Sequence, residues 1–217
     1  MPDKDDTSAL RYFVGIDLGQ TTDPTAIAVL ERPRITARTP RHERRPDYAL
    51  RHLQRFPLAT PYTQVVEDVI KMLQTPPLPG CMVAVDQTGV GRPVVEMLAR
   101  AMRGKVRCHL LPITITAGSK VSHGGDGSLH VSKQILVGHL QVLFQAQRLH
   151  IAKALPDAAV LVKELENFRV KITAGAKQEA YSAWREGDHD DLVLAAALAA
   201  YVGEETLPKP GDRPGRP

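Results

Sequence analysis

The chain has 217 residues, 43% hydrophobic and 24% charged, which is enough apolar material for one α/β core behind an ordinary surface. Its formal charge of +4 permits a polyanionic partner without identifying one. Two cysteines far apart in sequence, Cys81 and Cys108, argue against a disulfide framework or a zinc site. Polar residues at 1–10 and the lack of an apolar run of about 18 residues predict a cytoplasmic protein without a membrane span.

In chain order, the first predicted elements are buried strands. Apolar runs predict them at 11–18, 25–31 and 47–56. Thr60 as N-cap and Pro61 at the first helical position then predict a helix. The next predictions are a strand, a helix and a strand, at 82–86, after Pro93 and at 106–113.

The second half of the chain is predicted to contain more helix. Residues 114–131 are rich in Gly, Ser and Thr, which is typical of a mobile loop or a hairpin. Ser132 is predicted to cap the helix that follows it. The remaining predictions are two helices and the two strands of a hairpin, at 157–168, about 190–201, 170–173 and 179–184.

This order of elements predicts a mixed sheet that is covered by helices on both faces. One domain is expected over residues 11–204. The flanking residues, 1–10 and 205–217, have little to bury and are expected to be disordered.

Acidic residues fall where three predicted elements begin or end. Side-chain alternation places Asp17 and Asp86 on one face of their strands, at the carboxyl ends. Asp188, Asp190 and Asp191 surround the start of the last helix. Like charges about 4 Å apart repel by about 4 kcal/mol at an effective dielectric near 20. Divalent cations would relieve that repulsion, and all-oxygen ligands favour magnesium or manganese over zinc.

At these motifs the sequence resembles the RNase H-like superfamily and, within it, the nuclease domain of phage terminase large subunits. The resemblance is carried by FVGIDLGQTTDPTAIAVLE at 13–31, VAVDQTGVGRPVVEML at 83–98, HVSKQILVGHLQVLFQAQRLHIA at 130–152, ELENFRVKIT at 164–173 and EGDHDDLVLAAALA at 186–199. It implies an α/β fold with an RNase H-like mixed sheet of about five or more strands, flanked by helices on both faces. It also implies two-metal cleavage of the phosphodiester backbone of double-stranded DNA.

Carried over residue by residue, the resemblance assigns roles to the acids. Asp17 would bridge two divalent ions, Mg²⁺ or Mn²⁺, and Asp86 would hold one of them. Asp190 or Asp191 would complete the site, and the residues alone do not decide between them. His189 and its neighbour Asp188 are candidate assisting residues.

Basic residues outside this cluster are candidate contacts to DNA phosphates, since each neutralised phosphate releases counterions. Several of them lie in the arginine-rich stretch 32–45. The candidates are Lys120, Lys133, Arg38, Arg41, Arg44 and Arg45. A solvated basic surface is the alternative interpretation for each one alone.

The sequence departs from terminase large subunits in lacking a GxxxxGK[ST] phosphate loop. Either the chain is an isolated nuclease fragment or the packaging motor is a separate polypeptide. The expected partners are a separate packaging ATPase, a small terminase subunit or a portal, in the cytoplasm of a bacterial host. Three alternatives stay open. They are a Holliday-junction resolvase, a fragment of an actin-like or sugar-kinase ATPase with VDQTGVG as a phosphate loop, and a packaging module without catalytic activity.

Overall fold

A mixed sheet forms the centre of the protein in a computed structural model. The structure describes residues 11–19, 23–33, 45–89, 91–174 and 190–207, without the side chains of 167–174. The strands of these ranges are β1 Tyr12–Asp17, β2 Ala26–Glu31, β3 Tyr48–Arg55, β4 Met82–Asp86, β5 His109–Thr116, β6 Val121–His123, β7 Leu129–Ser132 and β8 Leu149–Ile151. The helices are α1 Tyr62–Gln74, α2 Gly91–Met102, α3 Lys133–Gln145, α4 Ala158–Ala174 and α5 Asp191–Glu205.

The strands of the described ranges pair in the order β6-β7-β5-β4-β1-β2-β3-β8. β2 pairs antiparallel with both β1 and β3, whereas β4 is parallel to β1 and β5 is parallel to β4. Parallel neighbours need a crossover, and α1 and α2 supply the helical parts of the two crossovers on this side. The predicted mixed α/β sheet is therefore confirmed.

Helices cover both faces of the sheet, as predicted. Val14, Ile16, Val83 and Val85 face α1 and α2 in one apolar cluster. The alternate residues of the same strands face α3 and α5 in a second cluster, where Phe13, Ala28 and Ala84 are fully buried. This division follows from the two-residue period of a strand.

α5 packs unusually closely on the sheet. Its residues from Asp191 to Gly203 are all buried, and it contacts β1, β2, β3 and β4. At Gly15 on β1, an added Cβ would lie 1.9 Å from the carbonyl oxygen of Ala195 and 2.8 Å from the backbone nitrogen of Ala199. The helix backbone therefore occupies the space that any side chain at position 15 would need.

The far end of α5 is held by a buried arginine. Arg32 follows β2, is fully buried, and donates a hydrogen bond from Nη1 to the carbonyl of Gly203 near the end of α5. Its guanidinium also lies 4.6 Å from the centre of the Phe13 ring. Arg32, the first arginine of the stretch 32–45, is therefore held in the core by the end of α5 and by the Phe13 ring.

Several predicted elements shift. α1 begins at Tyr62 with Pro61 as its N-cap, and the Thr60 hydroxyl donates to the carbonyl of Pro57, so the predicted Thr60 cap is wrong. Ser132 does cap α3, because its hydroxyl accepts from the Ile135 N–H at 3.2 Å. β6 and β7 form an antiparallel hairpin between Val121 and Ser132, which confirms the hairpin alternative for 114–131.

The predicted strand at 170–173 is wrong, since α4 continues through these residues to Ala174. β-branched residues weaken a helix by only a few tenths of a kcal/mol each, too little to end one that is already formed. Its predicted partner strand at 179–184 lies outside the described residues. β8, a three-residue strand parallel to β3, was not predicted.

The two cysteines, distant in sequence, are neighbours in space. Cys81 and Cys108 precede β4 and β5, and the His109 N–H donates to the Cys81 carbonyl at 2.9 Å. Their sulfurs lie 3.3 Å apart as free thiols. Within the described ranges, no helix combines the length and the apolar composition that a membrane crossing would need.

The approach of α5 to β1 gives the first testable prediction. Gly15→Ala should destabilise the protein by about 2 kcal/mol or more, because the new methyl group meets helix backbone that cannot rotate away. Gly138→Ala, inside α3 with nothing within 4 Å of its Cβ position, should stabilise it by roughly 0.5–1 kcal/mol. Urea unfolding of both variants measures the difference, and equal midpoints would refute the close approach.

Candidate metal centre

Asp17 and Asp86 meet at one edge of the sheet. β1 and β4 are parallel neighbours in which Ile16 pairs with Val85, so the next residues of the two strands are the two aspartates. Both lie on the face that α5 covers, on which Gly15 pairs with Ala84. Asp17 is only 7% exposed. The parallel pairing of β1 and β4 therefore places the two carboxylates side by side at the carboxyl ends of the strands.

The start of α5 brings further acids to this edge. Asp191 is the first residue of the helix and is 3% exposed, while Asp190 is its N-cap residue and is half-buried. Asp190 makes no capping hydrogen bond with its side chain. Its Oδ2 instead accepts a hydrogen bond at 2.6 Å from Nζ of Lys133, the first residue of α3.

The electrostatics of Asp17 show that the acids form one cluster. Burial raises the pKa of its carboxyl well above the usual range, and the neighbouring Asp86, Asp191 and Asp190 raise it further, in that order. Lys133 acts in the opposite direction. The fold therefore holds a buried carboxylate beside three like charges, an arrangement that costs free energy unless a cation compensates it.

Asp86 is oriented by the turn that follows β4. Its Oδ1 accepts hydrogen bonds from the Thr88 N–H at 2.8 Å and from the Thr88 hydroxyl. The same hydroxyl accepts from the Ile115 N–H at 2.8 Å and so links the turn to β5. Burial raises the pKa of Asp86, while the hydrogen bonds from Thr88 lower it.

A second cation reaches the cluster from the opposite side. Arg55, the last residue of β3, bonds Oε1 of Glu164 on α4 and lies 3.4 Å from Oδ2 of Asp191. Burial raises the pKa of Glu164 to about 7, although Arg55 and the Val193 N–H both lower it. Neither Arg55 nor Glu164 was predicted as a site residue.

The chemistry of these groups fits a hard divalent cation. The donors are carboxylate oxygens, and the excess negative charge around Asp17 is the kind that Mg²⁺ or Mn²⁺ compensates. Among residues 11–19, 23–33, 45–89, 91–174 and 190–207, however, no three His, Cys, Asp or Glu side chains are grouped closely enough to hold an ion. The carboxylates of Asp86, Asp190 and Asp191 are engaged by Thr88, Lys133 and Arg55 instead.

The other predicted site residues are dispersed or not described. Asp188 and His189 lie outside the described residues, as do Arg38, Arg41 and Arg44. Arg45 and Lys120 are exposed, and Lys120 immediately precedes the β6–β7 hairpin. Lys133 belongs to the acid cluster, where it pairs with Asp190 rather than standing on an open surface.

One signal in the sequence points to Arg55. On β3, Leu53 and Arg55 share a face by alternation, and Leu53 lies in the same apolar cluster as α5. A charged residue that ends a strand on its core face is the pattern that identified Asp17 and Asp86. Glu164 carries a weaker signal, because it is an acid on a helix whose buried neighbour, Leu161, precedes it by three residues.

The strand order β3-β2-β1-β4-β5, with acids at the carboxyl ends of β1 and β4, defines an RNase H-like domain. Among solved structures, the large terminase nuclease of the thermophilic phage G20c matches with a TM-score of 0.55 and 21% sequence identity, over 88% of this chain and 81% of that one. The human cytomegalovirus terminase nuclease domain matches with a TM-score of 0.50 and 13% identity, over 88% and 82%. No family model and no curated protein matches the sequence. The chain thus has the fold of large terminase nuclease domains.

The raised pKa of Asp17 predicts how stability depends on pH. In a chelator, the folded state retains the Asp17 proton to higher pH than the unfolded state, whose value is near 3.8. The free energy of unfolding therefore decreases as pH rises above that value, and Asp17→Asn removes this loss. At about pH 8 the variant should unfold at least about 3 °C higher than the wild type, a shift that roughly 1 kcal/mol produces in a domain of this size.

Thermal unfolding in chelator at several pH values measures this difference. Asp68→Asn, which neutralises a half-buried carboxylate on α1 outside the acid cluster, is the control and should change the midpoint by less than about 1 °C, because its ion pair with Lys71 is largely solvated. A wild-type protein as stable as Asp17→Asn at pH 8 would mean that the acids at this edge do not repel one another.

Proposed function

We propose that the chain is a metal-dependent DNA endonuclease, acting as the nuclease part of a phage or prophage DNA-packaging terminase. The observation that carries the proposal is the convergence of Asp17, Asp86 and the Asp190–Asp191 pair at one edge of the sheet. The similarity in fold to the large terminase nuclease of phage G20c supports it. A buried cluster of like charges is maintained in proteins mainly where it binds something positive.

In the proposed reaction, Asp17, Asp86 and Asp191 would hold two divalent ions, Mg²⁺ or Mn²⁺, whose chemistry when bound would be activation of the attacking water and stabilisation of the leaving 3′ oxygen of the phosphodiester. Asp17 would lie at the centre of the metal site. Its strand, β1, lies between β4 and β2, and all three other acids raise the pKa of its carboxyl. Asp86 contributes from β4 with one oxygen already fixed by Thr88. The products carry 5′-phosphate and 3′-hydroxyl ends.

Of the two adjacent acids on α5, we assign the metal-binding role to Asp191. It is the more buried of the two, and it raises the pKa of Asp17 more than Asp190 does. Asp190 is paired with Lys133, so its charge is already compensated. Lys133 therefore has two roles in the proposal, which are to neutralise Asp190 and to face the scissile phosphate beside it. His189 and Asp188, next in sequence, remain candidate assisting residues.

The proposed substrate is double-stranded DNA in the cytoplasm of a bacterial host. Exposed Lys120, at the start of the β6–β7 hairpin, and Arg45 are proposed phosphate contacts, together with Arg38, Arg41 and Arg44. The proposed partners, which follow from the proposed role in DNA packaging, are a separate packaging ATPase, a small terminase subunit or a portal.

Cleavage of supercoiled plasmid in Mn²⁺ tests the proposed function. Asp17→Asn, Asp86→Asn and Asp191→Asn should each reduce the nicking rate by about 100-fold or more, because each removes a carboxylate from the metal centre. Asp190→Asn should cost less, and Asp68→Asn on α1 should cost nothing. Wild-type rates in the Asp17 and Asp86 variants would reject the proposal, and preferential cutting of four-way junctions would redirect it to a resolvase.

The pH dependence of metal binding provides an independent test. A proton bound to Asp17 competes with the metal ion, since burial and its acidic neighbours raise the pKa of this carboxyl. The dissociation constant for Mn²⁺ should therefore decrease as pH rises above 3.8, the ordinary value for an aspartate, and continue to decrease over the range in which Asp17 keeps its proton, by up to about tenfold for each pH unit. Calorimetry measures it, with Asp17→Asn as the control that should bind weakly at every pH. A constant affinity over this range would contradict the assignment of Asp17.

A further inference from the structure

Arg55 lies in the same row of the sheet as Asp17. Asp17 on β1 pairs with Ala26 on β2, and Ala26 pairs with Arg55 on β3. Paired residues share a face, so all three face α5, and two strand spacings of about 4.8 Å separate the backbones of Asp17 and Arg55. The side chain between them is the methyl group of Ala26. This row of paired residues therefore has the Asp17 carboxylate at one end and the Arg55 guanidinium at the other, and α5 packs over both.

Arg55 and Glu164 hold the first turn of α5 together. The Arg55 guanidinium bonds Oε1 of Glu164 and lies 3.4 Å from Oδ2 of Asp191, and these three side chains are 22%, 7% and 4% exposed. The other oxygen of Glu164 accepts a hydrogen bond from the Val193 N–H at 3.3 Å. One carboxylate of α4 thus binds both the arginine and the backbone of α5.

This contact performs a task that the N-cap residue usually performs. The first N–H groups of a helix have no partner within the helix, and Val193 is at the third position of α5. The Asp190 side chain does not cap it, because its carboxylate is bonded to Lys133. Glu164 satisfies the Val193 N–H instead. Because Glu164 caps this N–H from another helix, the Asp190 carboxylate is not needed for that task.

The charges of Arg55 and Glu164 indicate that the pair orients the Asp191 carboxylate rather than reducing the repulsion among the acids. Arg55 and Glu164 together add no net charge to the acid cluster, so they offset little of its repulsion. What they supply is geometry. Nη2 of the guanidinium makes a hydrogen bond to Glu164 and lies within ion-pair distance of Asp191, while the Glu164 carboxylate fixes the helix turn from which Asp191 projects.

We propose that Arg55, held by Glu164, is a positioning residue that sets the orientation of the Asp191 carboxylate in the metal centre. This inference rests on the proposed function and deepens it. Loss of Arg55 leaves the metal ligands in place but allows Asp191 to rotate, so metal affinity decreases. Partners of this kind around a metal ligand typically change affinity by about 10- to 100-fold.

The test compares neutral, conservative and paired substitutions. Arg55→Gln removes the guanidinium, Arg55→Lys keeps the charge without the planar fork, and the double variant Arg55→Gln with Glu164→Gln avoids a buried uncompensated carboxylate. Arg51→Gln is the matched control, since Arg51 lies on the same strand with a side chain that is 60% exposed and pairs with Glu31. Calorimetry with Mn²⁺ gives the dissociation constant, and plasmid nicking gives the Mn²⁺ concentration for half-maximal rate.

The expected result is a shift in metal dependence. Arg55→Gln and the double variant should need about 10- to 100-fold more Mn²⁺, while Arg55→Lys recovers part of the loss and Arg51→Gln matches the wild type. Thermal unfolding in chelator reports folding separately, and the double variant is expected to stay folded. A folded double variant with wild-type Mn²⁺ affinity would overturn the role of Arg55. A wild-type protein that binds no Mn²⁺ would reject the proposed function itself.

Discussion

The contact between α5 and β1 at Gly15 is the constraint on which the rest of the structure depends. A helix can lie this close to a strand only where neither contributes bulk, and Gly15 with the alanines of α5 meets that condition. The first turn of the helix is thereby brought to the carboxyl ends of β1 and β4. Packing of small residues, rather than attraction between polar groups, assembles the acids.

This clustering of acids lowers the stability of the folded state, and in the proposed function it supplies the metal ligands. Asp17 is buried beside three carboxylates, while Lys133 pairs with Asp190 and Arg55 lies within ion-pair distance of Asp191. An apolar residue in place of Asp17 would suit the core better, and the proposed metal binding accounts for an acid at this position. Terminase nuclease domains have the same fold, which makes divalent metal ions and DNA the proposed ligands.

The sequence predicted the sheet and the acids because their signals are local. A two-residue alternation in β1 and β4 places Asp17 and Asp86 on one face without knowledge of any distant contact. Arg55 and Glu164 were missed because their meeting depends on β3 lying next to β2 and on α4 packing on α5. The prediction of a strand at 170–173 was wrong because the β propensity of these residues is too weak to end α4, which continues through them.

The position of the candidate metal centre also depends on Arg32, which binds the far end of α5. Its guanidinium, fully buried, binds the Gly203 carbonyl, and Arg148 binds the Glu204 carboxylate next to it at 2.7 Å. Gly203 and Asp191 are twelve residues apart on one helix, or about 18 Å at 1.5 Å per residue. The two ends of a helix are joined by its backbone hydrogen bonds, so a contact that holds the C-terminal end of α5 also limits how far its first turn can move along the helix axis. Arg32 and Arg148 therefore help to set the position of Asp191 beside Asp17, although they bind the other end of the helix.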